Sequence, residues 1–146
     1  MAGCDSNAYE RLVDLTAPYT KAIAHMGDPG CGQKTKMVNQ ICVAGLIQSL
    51  AEGIHFAQES GLDPKKVMEL VGQGAASSWQ LINRHQTMID GNYDHGFAVS
   101  LMHKDLQICL HEARAEGVSL PITEIVDSYY QQLESDGNGH KDTSSL

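Results

Sequence analysis

Positive charge, aromatic rings and paired cysteines are all scarce in this sequence. Ten Lys and Arg face 18 Asp and Glu, giving a formal net charge of −8 and a pI near 5.2. A chain this acidic does not offer the basic surface that nucleic acid or an anionic membrane requires. Phe, Trp and Tyr together make up 5% of the residues. Trp79 and the pair Tyr129-Tyr130 read as core or interface positions rather than a platform for stacked bases. Cys4, Cys31, Cys42 and Cys109 lie far apart with no CxxC spacing, which fits free thiols in a reducing, cytoplasmic setting. The histidines are scattered without an HxxxH spacing, so no metal site is expected. Long uninterrupted apolar runs are missing too. The stretch from Met37 to Ala57 carries Asn39, Gln40, Gln48, Glu52 and His55, and is expected not to span a membrane. Asp5 and Glu10 break any run of the signal-peptide kind at the start.

What is present is ordinary for a globular protein: 146 residues, 42% hydrophobic and 19% charged, enough for one domain with a sizeable core. Residues 6–17 read as a short amphipathic helix with Tyr9, Leu12, Val13 and Leu15 as its apolar positions. "TKAIAHM", residues 20–26, alternates like a strand. One strand cannot satisfy its own ladder of N–H and C=O groups, so helix and strand are expected to be the tail of a sheet whose other strands lie elsewhere, and the chain a fragment of a longer protein. From residue 31 onward every segment reads as helix. The first runs to Gly61 over roughly 29 residues, about 44 Å at 1.5 Å per residue. Its Gly45, Ser49 and Gly53 form a small-residue stripe suited to close approach by another helix, including one from a second subunit. Asp63-Pro64 opens the next helix, Ser77 or Ser78 caps one through "WQLINRHQTMID", "HGFAVSLMHKDLQICLHEARAEG" is a long amphipathic one, and the last runs from Pro121 to Gly137. The polar tail "NGHKDTSSL" reads as loop.

Two clusters stand out. In "GDPGCGQKTKMVNQ" (27–40), Gly27 and Gly32 have the separation of a phosphate-binding P-loop, but Gln33 intrudes before Lys34-Thr35. One inserted residue at a helix start rotates the lysine by about 100°. The dinucleotide fingerprint fails as well, because Thr35 stands where its third glycine belongs. Below the glycines, Lys36, Asn39 and Gln40 stand at i, i+3 and i+4, sharing one face of an otherwise apolar helix. A lysine against an apolar wall loses solvation and becomes usable as a general acid/base. Spacing alone fits a snorkelling lysine beside two locally bonded amides better, since such polar trios are common at helix starts. The second cluster, His103-Lys104-Asp105, lies among Phe97, Leu101, Leu106, Ile108 and Leu110, and by itself also fits a solvated face.

Taken in order, these segments resemble the β-hydroxyacid dehydrogenase family, which includes 3-hydroxyisobutyrate dehydrogenases and tartronate semialdehyde reductases. "GCGQKTKMVNQ" is similar to the family's GxGxxxKxxN segment, with Gly30, Gly32, Lys36 and Asn39 in their places. "GFAVSLMHKDLQICL" is similar to its later Lys-Asp segment, and "GNGHKDTSSL" to its Asp-containing C-terminal tail, with Asp142. The resemblance implies an all-α C-terminal domain of the 6-phosphogluconate-dehydrogenase-like type over residues 30–146, preceded at 1–29 by a helix-strand remnant of an upstream Rossmann domain. It further implies an NAD(P)-dependent oxidoreductase acting on a small β-hydroxyacid or its semialdehyde. Lys36 would be catalytic, Asn39 and Gln40 would hold substrate, and Lys104 with Phe97 would meet the cofactor, NAD or NADP. The 6-phosphogluconate dehydrogenases carry His-Asn where this chain has Asn39-Gln40, which disfavours that substrate. The family's glycine-rich cofactor loop and serine-glycine substrate segment are absent from these residues, so the chain alone is expected to be inactive. A homo-oligomer is expected, and the competing reading is a helical dimerisation or scaffold module without chemistry.

Overall fold

A computed structural model describes residues 1–146 as an all-helical chain. Six α-helices follow in order: α1 (Ser6–Thr16), α2 (Cys31–Glu59), α3 (Pro64–Val71), α4 (Trp79–Ile89), α5 (Val99–Ala115) and α6 (Pro121–Leu133). A π-helical turn (Glu134–Asn138) and a 3₁₀ turn (Thr143–Ser145) complete the chain. It divides into two compact units, Met1–Asn39 and Gln40–Leu146.

In the first unit Asp5 caps α1 by accepting from the Ala8 N–H at 2.9 Å. The strand expected at 20–26 does not form. It pairs only briefly, with the chain start: Ala2 N–H donates to Ala24 O (2.9 Å), Met26 N–H to Ala2 O (2.8 Å) and Cys4 N–H to Gly27 O (2.9 Å), a single parallel bridge. Alternation supplied the pattern, but a strand needs a neighbour of its own length. Tyr9 of α1 stacks on His25 of this segment, with ring centroids 4.8 Å apart. The glycines of 27–32 serve this packing. Gly27 and Gly30 take φ of +116° and +102°, and a Cβ on Gly32 would stand 3.0–3.1 Å from Gly3 N and Met1 O. That motif is a junction where backbones meet closely.

In the second unit α2 presents a buried stripe, Gln40, Ala44, Ile47, Leu50, Ile54 and Ala57, with the 3- and 4-residue spacing of one helix face. By length and composition α2 could cross a membrane. Its stripe instead feeds two protein cores. Ala44 joins Val99, Met102, Leu106, Val126 and Tyr130 between α5 and α6, while Leu50 and Ile54 join Met68, Leu81 and Met88 of α3 and α4. Gly61, at φ +71°, ends α2 with Leu62 N–H bonded back to Ala57 O at 3.0 Å. Asp63 and Ser78 cap α3 and α4.

Two expectations change in this unit. α5 starts at Val99, not at His95, and the tail read as loop is buried: Asp142 and Ser144 are fully inside and Thr143 nearly so. Both changes have one cause. The first N–H groups of α5 receive no side-chain cap. Val99 N–H donates to Lys141 O (2.8 Å) and Ser100 N–H to Gly139 O (3.0 Å), so the tail supplies the cap. Of the two places read for Trp79, core or interface, the structure rules out the core: Trp79 is exposed on α4, with the Arg84 guanidinium 5.2 Å from its ring centroid.

Candidate functional site

Of the five residues singled out from the sequence, Lys36 and Asn39 belong to the first unit and Gln40, Phe97 and Lys104 to the second. α2 carries Lys36 on an exposed surface, beside a shallow hollow lined by Met1, Gly3, Gly32 and Gln33. Asn39 is exposed one turn further along. The close glycine packing described above is what brings the chain start to the foot of this helix.

Within the second unit the structure joins Gln40 to Lys104 through a third residue. Gln40 is buried, and its Nε2 donates to Asp105 Oδ2 at 2.8 Å while touching Met102 Sδ at 3.7 Å. The other oxygen, Asp105 Oδ1, lies 3.0 Å from Lys104 Nζ. The side chain of Asp105 is 16% exposed and that of Lys104 is 61% exposed. A carboxylate bonded to a buried amide on one side has a fixed orientation, and it passes that orientation to an ammonium reaching outward. α2 and α5 are thereby pinned by a polar bond amid Met102 and Leu106. The triplet 103–105 divides: His103 turns away, its Nδ1 2.9 Å from Asp127 Oδ1 of α6, where Gln107 Nε2 also donates to Asp127.

Phe97 is set from a different direction. Its ring packs against the α5–α6 core. Its N–H donates to Asp142 Oδ2 at 2.9 Å, and its carbonyl accepts from Thr143 N–H at 2.8 Å. Asp142 is fully buried, with Arg84 Nε 3.4 Å and Ser144 N 3.1 Å from Oδ1. Gly96 before it has φ +78°, and any Cβ there would collide with Asp142 Oδ2.

Two residues were undervalued in the sequence. Asp105 is the hub of the Gln40–Lys104 connection, and its signal was available as an amide at the polar edge of an apolar helix that would need a buried partner. Asp142 begins Asp-Thr-Ser, a spacing that lets a carboxylate accept from the N–H two residues on, as it does from Ser144. The chemistry assembled here is an exposed ammonium steadied by a carboxylate, an aromatic ring fixed through its backbone, and no group of three or more His, Cys, Asp or Glu placed to hold a metal.

Residues 30–146 match the family described as "NAD-binding of NADP-dependent 3-hydroxyisobutyrate dehydrogenase". The whole chain is 47% identical over 146 residues to an uncharacterized oxidoreductase of Shewanella frigidimarina (strain NCIMB 400), covering 100% of this chain and 50% of that protein. It is 34% identical over 146 residues to 2-hydroxy-3-oxopropionate reductase of Escherichia coli (strain K12), again covering 100% of this chain and 50% of the relative. The crystal structure of 3-hydroxyisobutyrate dehydrogenase from Salmonella typhimurium has the same fold, with a TM-score of 0.89, 28% identity, and coverage of 99% of this chain and 51% of that one. The chain thus spans about half the length of the curated relatives it matches.

Proposed function

Since the chain belongs to the NADP-dependent 3-hydroxyisobutyrate dehydrogenase family of oxidoreductases, we propose that it is the helical half of an NAD(P)-dependent enzyme interconverting a small β-hydroxyacid and its semialdehyde. In that enzyme it works with a dinucleotide-binding domain of the Rossmann type. Lys36 accepts the substrate's hydroxyl proton as the carbinol carbon gives up its hydride, and returns the proton in the reverse direction. The dinucleotide, when bound, accepts or supplies that hydride. Asn39 holds the substrate's hydroxyl or carboxylate. Gln40, whose Nε2 is bonded to Asp105, helps it do so. Lys104 and Phe97 meet the cofactor, Lys104 through its charge and Phe97 through its ring.

The observation that carries this reading is the Gln40–Asp105–Lys104 connection. A scaffold helix gains little from a buried amide bonded to a half-buried carboxylate, because an apolar pair of the same shape packs as well. A site that must hold an ammonium at a set angle to a bound anion does gain from it. NADH and NADPH, with a panel of three- and four-carbon hydroxyacids, should be titrated into the protein joined to its dinucleotide-binding domain. Saturable turnover of a hydroxyacid supports the enzyme, whereas cofactor binding without turnover of any member would favour the scaffold alternative.

A further inference from the structure

The loop that presents Phe97 is held by the tail, not by its own residues. Both backbone polar groups of Phe97 are bonded to tail residues, the N–H to the Asp142 carboxylate and the carbonyl to the Thr143 N–H. The next two N–H groups beyond Ala98, those of Val99 and Ser100, also end on tail carbonyls. The tail has other anchors that do not involve its carboxylate: Tyr130 Oη donates to Thr143 O at 3.0 Å, and Leu146 packs against the α5–α6 core. A buried ion pair such as Asp142–Arg84 adds little net stability against an apolar replacement, because desolvation offsets the attraction. What it adds is a fixed direction. Asp142 spends that direction on the Phe97 N–H and leaves room for it only because residue 96 is glycine.

We propose that Asp142 is a positioning residue for the cofactor end of the site: its carboxylate sets the Phe97 backbone and, with it, the first turn of α5, the helix that carries Lys104 and Asp105. The inference rests on the assignment of Phe97 and Lys104 to the cofactor made above. The test compares Asp142→Asn with Tyr130→Phe, which loosens the tail through a different bond, in the protein joined to its dinucleotide-binding domain. Asp142→Asn should raise the KM for the dinucleotide about tenfold, with kcat changed less than about threefold. Amide hydrogen exchange at Phe97 should speed up more than about tenfold relative to Leu106. Tyr130→Phe should lower the thermal midpoint without moving that KM. If Asp142→Asn lowers stability as Tyr130→Phe does and leaves the KM unchanged, the role is purely structural and the inference is wrong. Should Asp142→Asn fail to fold, Ser144→Ala removes the Ser144 hydroxyl that donates to Asp142 Oδ1 while keeping the carboxylate. It should raise the same KM about two- to threefold, and an unchanged KM overturns the proposal. Phe97→Ala separates the two levels. If it raises the KM while Asp142→Asn does not, positioning fails and the cofactor reading stands. If it leaves the KM unchanged, the cofactor reading of Phe97 fails and the inference goes with it.

Discussion

Gly96 occupies a position where no other residue fits. Its φ of +78° is costly for any side chain, and a Cβ would strike the buried Asp142 carboxylate. Gly96→Ala should therefore destabilise the chain by about 3 kcal/mol, at the upper end of overpacking costs, as read from the urea midpoint. Tyr130 sets a second residue-level expectation. Burial raises its phenol well above the ordinary range, and the Asp142 charge pushes the same way. The folded chain then keeps that proton where the unfolded chain, with a pKa of about 10, loses it. The folded state binds more protons above that pH, so this contribution is complete below about pH 10 and falls by about 1.4 kcal/mol per unit as pH rises further. Denaturation at pH 8 and pH 11 should show a steeper loss in the parent than in Tyr130→Phe, even though the variant gives up about 1 kcal/mol at neutral pH with its bond to Thr143. Equal slopes would remove Tyr130 from the account.

At the scale of elements, local chemistry decides most boundaries. Ser78 Oγ accepts from the Leu81 N–H at 3.0 Å, so Ser78→Ala should cost about 1 kcal/mol with an unchanged denaturant slope. A fall in slope would mean that the α3–α4 pair frays separately. These caps were legible because their signals are adjacent in sequence: Asp63-Pro64 for α3, Ser78 before Trp79 for α4, Gly61 after α2. The start of α5 was not legible, since its cap comes from carbonyls some forty residues later in the chain. The burial of Asp142 was hidden for the same reason. A polar tail looks like loop until its partners Arg84, Phe97 and Ser144 are known. The segment 20–26 erred in the other direction, its alternation being a local pattern whose outcome depends on a neighbouring strand. Of the candidate site, the sequence marked Lys36, Asn39, Gln40, Phe97 and Lys104, while Asp105's place between Gln40 and Lys104 needed the pairing of α2 with α5.

For the whole molecule, Phe56, Leu70, Trp79 and Ile82 of α2, α3 and α4 are large apolar side chains left exposed. A homo-oligomer in solution is the expected outcome of light scattering, and Trp79→Glu should shift it toward monomer. A monomeric parent at micromolar concentration would remove that expectation. Joined to its dinucleotide-binding domain, the decisive substitution is Lys36→Met, which keeps the length of the side chain and removes its amine. Steady-state kinetics on the best hydroxyacid should show kcat falling by about 10²–10⁴-fold with little change in the dinucleotide KM. Turnover equal to the parent's would contradict the assignment of Lys36 as the proton acceptor.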